Sequence, residues 1–307
     1  MKNSKGIWFK EWFTKHESHS HELKKILVKK KTAFQNAIIA DSCSFGRCLV
    51  LDGEMQSAQL DEFIYHESLI QPSFVMHPDP KRSVILGGGE GATLREILRH
   101  RSTEKCSMVD IDGEVVEFCK THMEPWHQGA FKDRRSDIVI GDAKKYIEET
   151  NEQFDVIISD LPSPIEAGPA YQLYTVEFYK ILRKKLKKDG IFTLQAGSGN
   201  LLQIELHLKL ARTLKQIFPV VRSYFAHVPS FDVPWAFLFC SSNPKLDPLK
   251  VSGAEIDRRI AKNVKGNLSF YDGVTHEGLF RIPKHIRKAL DAEKGIITAK
   301  KPVYFYK

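Results

Sequence analysis

The sequence predicts an α/β protein whose main domain is a doubly wound, mostly parallel sheet, preceded by a small domain rich in β-strands. Three observations predict this fold. An apolar strand runs into a glycine-rich turn and a helix at residues 84–98, strand and helix patterns then alternate as far as residue 240, and residues 8–66 contain short strands joined by turn sequences. Such alternation requires crossover connections, which place helices on both faces of a parallel sheet.

The N-terminal domain is predicted from its strands and turns. Strand candidates occur at residues 8–14, 33–39 and 48–51. Asp52-Gly53 is typical of a tight hairpin. Residues 61–70 are predicted to be a short helix, and the prolines from Pro72 onward indicate a boundary. We therefore divide the chain into an N-terminal β-rich domain, residues 1–69, and a Rossmann-like domain, residues 70–307.

The turn Gly87–Gly91 organises the main domain. Val84–Leu86 is a short apolar run, as expected of a strand that is buried on both faces. No side chain of the glycines blocks the approach of a ligand, and the helix at residues 92–98 has an apolar face. Strand, turn and helix form the first unit of a nucleotide-binding domain, although such a turn is weak evidence by itself.

The remaining elements continue the pattern. Further strands are predicted at residues 106–109, 137–140, 154–159, 191–194, 220–227 and 235–240. Helices are predicted at residues 114–123, 144–150, 176–186 and 201–217, with more helix between residues 251 and 290. Ligands of doubly wound sheets bind at the carboxyl ends of the strands, so we expect the site there.

The composition indicates a globular protein of a reducing compartment. Hydrophobic residues make up 42% and charged residues 27%, and no apolar run approaches the roughly 20 residues that span a bilayer. The first residues are not followed by the apolar core of a signal peptide, so we expect a cytoplasmic protein with no membrane partner. The five cysteines include no Cys-x-x-Cys pair and are expected to be free thiols.

The positive charge does not indicate a nucleic-acid partner. The net charge of +8 is spread over patches such as Lys29–Lys31 and Arg183–Lys188, without interleaved aromatic residues. The second patch lies late in a predicted helix, where cations suit the helix dipole. His16, His19 and His21 lack further ligands at metal-site spacing, which favours a solvated turn over a metal site.

Acidic residues follow four consecutive predicted strands: Glu90, Asp110, Asp142 and Asp160. Any one of them could be a helix N-cap, but four at one edge would line a single crevice. Asp110 lies about 20 residues beyond the glycines, where an acid commonly binds ribose hydroxyls, and Asp142-Ala143 suits an adenine edge. These features fit NAD, S-adenosylmethionine or a relative. The glycines do not decide, because Gly87-x-Gly89-x-x-Ala92 also satisfies the dinucleotide pattern.

Glu90 narrows the choice of ligand. A desolvated carboxylate inside the turn would repel a pyrophosphate or an amino-acid carboxylate and attract an ammonium group. The ligand should therefore be a nucleoside with a cationic tail and no nearby anion, which describes decarboxylated S-adenosylmethionine. S-adenosylmethionine itself would need an intervening water or a different pose.

Together these motifs resemble the aminopropyltransferase family, the spermidine and spermine synthases. The resemblance rests on Leu51–Gln56, Asp61–Glu67, Gly87–Gly91, Asp110–Asp112, Gly141-Asp142 and Asp160. It implies a small N-terminal β-domain, a methyltransferase-like catalytic domain and a homodimer or homotetramer. It also implies aminopropyl transfer from decarboxylated S-adenosylmethionine to a polyamine, with release of 5′-methylthioadenosine. The donor is a co-substrate, and no metal or cofactor is implied.

The resemblance also implies roles for individual residues. Asp160 is the expected general base, and Tyr65 is expected to orient the acceptor amine. The expected donor contacts are Gln56, His66, Glu90, Asp110, Ile111, Asp142 and Ala143. The expected acceptor contacts are Tyr65, Asp160, Ser163, Glu166, Gln195 and Phe231. Tyr65 and Phe231 could also be ordinary core residues.

Two segments predict the acceptor. Asp160–Gly168 and Ala226–Phe231 look most like the thermospermine synthases of plants. Ser163 stands where spermidine synthases usually carry a second Asp, and it also departs from the thermospermine synthase pattern. We expect spermidine as acceptor and thermospermine as product, with spermidine synthase and spermine synthase as alternatives. A methyltransferase that uses S-adenosylmethionine, an NAD-dependent oxidoreductase, and a non-enzymatic polyamine or nucleic-acid binder are more distant alternatives.

Overall fold

The computed structural model describes residues 6–164 and 169–305, which contain two β-sheets. The first is an antiparallel sheet of β1 (Ile7–Trp12), β2 (Ser18–Lys31), β3 (Asn36–Ser42), β4 (Gly46–Leu51) and β5 (Glu54–Ala58), in that order. Asp52 and Gly53, with φ of 47° and 86°, join β4 to β5 in the tight hairpin that this dipeptide predicts. The small N-terminal β-domain is confirmed.

The second sheet has seven strands in the order β11-β12-β10-β9-β6-β7-β8. They are β6 (Arg82–Gly87), β7 (Lys105–Asp110), β8 (Ser136–Ile140), β9 (Phe154–Asp160), β10 (Leu186–Ser198), β11 (Val220–Val228) and β12 (Val233–Ser241). The strands from β10 to β8 pair in parallel, and β12 lies antiparallel between β10 and β11. The mostly parallel, methyltransferase-like sheet is therefore confirmed.

Helices pack on both faces of this sheet. They are α1 (Glu62–Met76), α2 (Ala92–Leu98), α3 (Gly113–His122), α4 (Glu124–His127), α5 (Ala143–Glu149), α6 (Val176–Lys185), α7 (Glu205–Leu214), α8 (Gly253–Asn263), α9 (Gly273–Phe280) and α10 (Lys284–Ala292). Alternate residues of β6 enter two separate cores, Ile85 in one and Val84 with Leu86 in the other. Within the described ranges, no helix has both the length and the apolar character needed to cross a bilayer.

Helix α1 is longer than the predicted helix at residues 61–70, because it continues through Pro72 to Met76. A proline inside a helix has no N–H for the carbonyl four residues earlier, here that of Ser68. The buried hydroxyl of Tyr224 in β11 donates to this carbonyl oxygen at 2.9 Å. Tyr224 therefore replaces the missing backbone donor. The predicted division between residues 69 and 70 stays a prediction and falls inside this helix.

Helix α7 is shorter than predicted, because it begins at Glu205 rather than at residue 201. Leu201 and Leu202 lie in an exposed turn, with 69% and 66% of their surfaces accessible. The apolar pattern of residues 201–217 therefore includes two leucines that the fold leaves outside its core.

Candidate active site

A cavity of about 580 Å³ opens at the carboxyl ends of β6, β7, β8 and β9, where a doubly wound sheet binds its ligand. We name its ends after the nearest strands. The β8 end contains Asp110, Ile111, Asp142 and Ala143, and the β12 end contains Phe231, Trp235 and Phe305. The predicted site residues that line the cavity are Gln56, Tyr65, Glu90, Asp110, Ile111, Asp142, Ala143, Asp160, Ser163, Gln195 and Phe231.

Glycines bring the turn after β6 close to two of the predicted acids. Gly87 has φ of 87°, and a Cβ atom there would lie 2.3 Å from the carbonyl oxygen of Asp160. A Cβ atom on Gly89 would lie 2.9 Å from Oδ2 of Asp110. A side chain at either position would therefore displace an acid or push β6 away from β9.

Asp160 lies at the end of β9, with hydrogen bonds to both carboxylate oxygens. The Tyr65 hydroxyl donates to Oδ1 at 2.7 Å, and the Thr93 hydroxyl donates to Oδ2. Burial, and next the charge of Glu90, raise the pKa of Asp160 to about 6, against the opposing effect of His66 and the two hydrogen bonds. Burial also raises the pKa of Tyr65, so its phenol stays protonated and donates. A carboxylate with a pKa near neutrality is suited to accept a proton.

Glu90 is held from behind by charged groups. His66 donates through Nε2 to Glu90 at 3.0 Å and through Nδ1 to Glu62 at 2.7 Å. Burial opposes the charge on the ring, but its hydrogen bonds to the two carboxylates raise the pKa of His66 to about 10. Arg95 donates to both oxygens of Glu62 at 3.0 Å. The predicted donor contact His66 is thus an imidazolium buried behind Glu90, and it partly balances the charge of that carboxylate.

The β8 end presents two acids with different surroundings. Asp110 accepts a hydrogen bond from the backbone N–H of Asp112 at 2.9 Å, and burial raises its pKa to about 6. Asp142 caps α5, because its Oδ1 accepts from the backbone N–H groups of Lys144 and Lys145. Asp142 therefore both caps α5 and lines the cavity.

The β12 end is aromatic. The ring of Tyr65 lies 6.0 Å from that of Phe231, which in turn lies 5.0 Å from that of Trp235. These rings extend the cavity wall away from Asp160, on the side opposite the β8 end.

An acid, Glu11 in β1, also lines the cavity. It is 6% exposed, and its Oε1 accepts from the Met55 N–H at 3.3 Å. Its Oε2 has no hydrogen-bond partner among the residues that the structure describes. Met55 belongs to β5, which contacts the turn Pro229–Phe231, and this places Glu11 toward the β12 end. Burial, and next the charge of Glu54, raise the pKa of Glu11 to about 8.

Three predicted acceptor contacts differ in what they offer. Ser163 is buried, and its hydroxyl has no partner within residues 6–164 and 169–305. Gln195 donates to the Leu161 carbonyl at 2.6 Å and to the Tyr174 hydroxyl at 3.2 Å, so it holds the chain that follows Asp160. Glu166 lies outside the described residues.

His66, Glu90 and Asp160 have potential ligand atoms within 4.8 Å of one another. A metal ligand must be deprotonated, however, and His66 would have to lose a proton that two carboxylates hold. An ion pair accounts for this cluster. His19, one of the three N-terminal histidines, pairs with Asp232 at 2.6 Å.

The sequence analysis did not predict Thr93, Glu11, Trp235 or Phe305 as site residues. Thr93 is a buried β-branched residue in a helix, a common core feature without a signal of its own. Glu11 did carry a signal. It alternates with the exposed Trp8, Lys10 and Trp12, which places it with Phe9 on the buried face of the strand. A charge on a buried face requires a partner or a function.

Comparisons with known proteins agree on one family. Residues 62–250 match the spermine/spermidine synthase domain, and residues 7–59 match the spermidine synthase tetramerisation domain. The polyamine aminopropyltransferase of Sulfolobus acidocaldarius is 43% identical over 296 residues, which cover 96% of this chain and 97% of the relative. That of a Synechococcus species is 42% identical over 303 residues, which cover 96% of each chain.

A solved structure is similar over nearly the whole fold. It is a spermidine synthase in complex with the transition-state analogue AdoDATO, with a TM-score of 0.87 and 29% identity over 94% of this chain and 97% of its own. The comparisons support polyamine aminopropyl transfer as the activity. This chain belongs to the spermine/spermidine synthase family.

Proposed function

We propose that this chain transfers an aminopropyl group from decarboxylated S-adenosylmethionine to spermidine, giving thermospermine and 5′-methylthioadenosine. The observation that carries the choice of a triamine is Glu11, a buried carboxyl group at the β12 end with an oxygen that no described residue satisfies. The choice of donor rests on the acids that line the rest of the cavity.

The β8 end suits the nucleoside of the donor. Asp110 would accept hydrogen bonds from the ribose hydroxyls, while Ile111, Asp142 and Ala143 would contact the adenine. Gln56 lies in the same cavity and would contact the donor beside its sulfur.

The acids favour the decarboxylated donor. Glu90 would accept a hydrogen bond from the ammonium of the aminopropyl tail, with His66 holding the carboxylate in place. The carboxylate of S-adenosylmethionine would face Glu90 and Asp160 together, which is unfavourable in a largely dehydrated site. Support also comes from the related spermidine synthase that binds AdoDATO.

The reaction is a displacement at the carbon beside the sulfonium. The acceptor nitrogen forms a C–N bond, the C–S bond breaks, and its electron pair neutralises the sulfur. The amine arrives as an ammonium, with a pKa near about 10.4 by analogy with Lys, and must lose a proton before it attacks. Asp160 would accept this proton, and Tyr65 and Thr93 would fix the direction of its carboxylate.

The β12 end suits a third amine. Ser163 offers a neutral hydroxyl, so the distant ammonium of a short diamine finds no anionic partner at that position. Glu11 offers a carboxyl group toward the β12 end, and an ammonium bound there would supply the partner that Oε2 lacks. The rings of Phe231 and Trp235 would contact the methylene groups of spermidine and attract the ammonium that lies between those methylene groups.

The orientation of spermidine is proposed from resemblance alone. Asp160–Gly168 and Ala226–Phe231 look most like thermospermine synthases, whereas spermine would form if the other end of spermidine faced Asp160.

We also propose that no metal or cofactor takes part, because a sulfonium is already an activated leaving group. Activity should survive treatment with EDTA, and its loss would overturn this part of the proposal. A homodimer or homotetramer is proposed from the tetramerisation-domain match and from the exposed rings of Trp8 and Trp12 on β1, and light scattering would measure its mass. A cytoplasmic location without a nucleic-acid partner stays a prediction.

The acceptor is tested by kcat/KM for spermidine and for putrescine with the decarboxylated donor. A missing hydrogen bond to a charged group costs about 1.5–3 kcal/mol, so spermidine should be preferred by roughly 10- to 150-fold. A preference for putrescine would make the chain a spermidine synthase instead.

A further inference from the structure

Residues 297–305 cross the ends of α6 and α7 before they reach the cavity. Ile297 is buried; its N–H donates to the Thr213 hydroxyl at 3.0 Å, and its carbonyl accepts from the Val176 N–H at 2.9 Å. The Ala299 N–H donates to Glu177 at 3.1 Å. These bonds anchor the segment to both helices and fix where the residues after it lie.

The end of this segment contacts chain on either side of residues 165–168. The Phe305 N–H donates to the Pro164 carbonyl at 2.8 Å, and the Tyr304 ring lies 6.2 Å from that of Tyr171. Pro164 follows shortly after Asp160, and Tyr171 belongs to the short 3-10 helix Pro169–Tyr174. Residues 304 and 305 therefore contact Pro164 and Tyr171 directly.

Phe305 is also part of the cavity wall. Phe305 is 9% exposed, and its ring lies 6.1 Å from that of Trp235 at the β12 end. A Cβ atom on Gly197 would lie 3.1 Å from Cε2 of Phe305, so the glycine makes room for the ring. The ring thus bounds the cavity beside Trp235, at the end toward which the proposed acceptor extends.

We propose that Phe305 is a specificity-determining residue that closes the β12 end and limits the length of the polyamine acceptor. This inference rests on the proposed transfer to a polyamine and adds the residue that sets the acceptor's reach. Removing the ring opens space beside Trp235, which a tetraamine can use and a triamine cannot.

The test compares the wild type with Phe305→Ala, Phe305→Leu and Ile296→Ala. Ile296 is a matched control, because it lies in the same part of the chain, is 38% exposed and does not line the cavity. The readout is the ratio of kcat/KM for spermine to kcat/KM for spermidine, with the donor KM measured in parallel. A change of pocket size by small apolar groups alters discrimination by about 10- to 200-fold, so Phe305→Ala should raise the ratio at least about tenfold.

Phe305→Leu should raise the ratio less, and Ile296→Ala should leave it unchanged, with the donor KM constant throughout. An unchanged ratio in Phe305→Ala overturns the inference. If the Ala variant does not fold, the Leu variant decides by the same criterion. A wild-type enzyme that transfers to no polyamine defeats the proposed function instead. In that case calorimetry still tests the role of Phe305, through the ratio of the affinities for spermine and spermidine. The same ratio in the wild type and in Phe305→Ala would refute that role.

Discussion

Replacing Glu11 with Gln tests whether the buried carboxyl group at the β12 end binds the distant amine of the acceptor. Gln keeps the size of the side chain, and its amide oxygen can still accept from the Met55 N–H. The unpartnered Oε2 becomes an amide nitrogen, which cannot accept a hydrogen bond from an ammonium. The substitution therefore removes one charged contact with little change in packing.

The expected loss follows from the contact removed. A hydrogen bond between charged groups contributes about 1.5–3 kcal/mol, so kcat/KM for spermidine should fall roughly 10- to 150-fold. In the proposed pose, a diamine whose reacting nitrogen lies at Asp160 does not reach Glu11, so kcat/KM for putrescine should change little.

The raised pKa of Glu11 adds a pH signature. Below pH 8 the group is mostly neutral in the empty enzyme, whereas above pH 8 it is already ionised and ready to bind an ammonium. The kcat/KM for spermidine should therefore rise as the pH approaches 8, and this rise should be absent in Glu11→Gln. It should also be absent when putrescine is the acceptor.

Ionisation of Glu11, which should promote binding of the acceptor, should lower the stability of the folded protein. The pKa rises from 4.5 to about 8 on folding, so the folded state holds this proton more tightly than the unfolded state. The free energy of unfolding therefore falls as the pH rises through this interval, and Glu11→Gln should be more stable than the wild type above pH 8.

The assay measures kcat/KM for both acceptors, together with thermal denaturation, on both sides of pH 8. Glu17→Gln is the matched control, because Glu17 is an exposed acid in the turn between β1 and β2. Equal losses with spermidine and putrescine, or wild-type activity with spermidine, would refute the reasoning.

Four further substitutions probe the centre of the cavity. Asp160→Asn should lower kcat about 10²- to 10⁴-fold and leave donor affinity by calorimetry nearly unchanged, and near-wild-type turnover would place the base elsewhere. Thr93→Val removes a hydrogen bond that stabilises the ionised form of Asp160, whose pKa is about 6, so the acid limb of the kcat/KM profile should move to higher pH. Thr93→Ser should restore the wild-type profile. The other groups that face Asp160 are Glu90, His66, Asp110, Tyr65 and Tyr174. Glu90→Gln should weaken discrimination against S-adenosylmethionine in calorimetry with both donors, and an unchanged affinity ratio would contradict the charge argument. Ser163→Asp should shift the acceptor preference toward putrescine, measured as the ratio of the two kcat/KM values, and a constant ratio would show that this position does not bind the diamine.

The fold was predictable because its signals are local. The apolar run before Gly87, the alternation after it and the Asp52-Gly53 turn depend only on neighbouring residues. The end of α1 was not predictable in this way. Pro72 is a helix breaker unless another donor serves Ser68, and that donor, Tyr224, lies 156 residues further along the chain.

The candidate site was predictable at the level of strand ends. Glu90, Asp110, Asp142 and Asp160 line one cavity, because parallel strands bring their carboxyl ends to one edge. Their charge balance was not predictable. His66 carries a positive charge beside Glu90, so the carboxylate repels an anion less than the sequence argument assumed. The affinity change expected for Glu90→Gln is correspondingly smaller.

The most direct test of the proposed function is to identify the products from spermidine with each donor. With decarboxylated S-adenosylmethionine, we predict equal amounts of 5′-methylthioadenosine and a tetraamine that elutes as thermospermine in chromatography that resolves it from spermine. With S-adenosylmethionine, we predict no methylated polyamine. Spermine as the product would reverse the orientation of the acceptor. Methyl transfer from S-adenosylmethionine, or failure to form any tetraamine from the decarboxylated donor, would contradict the proposed function itself.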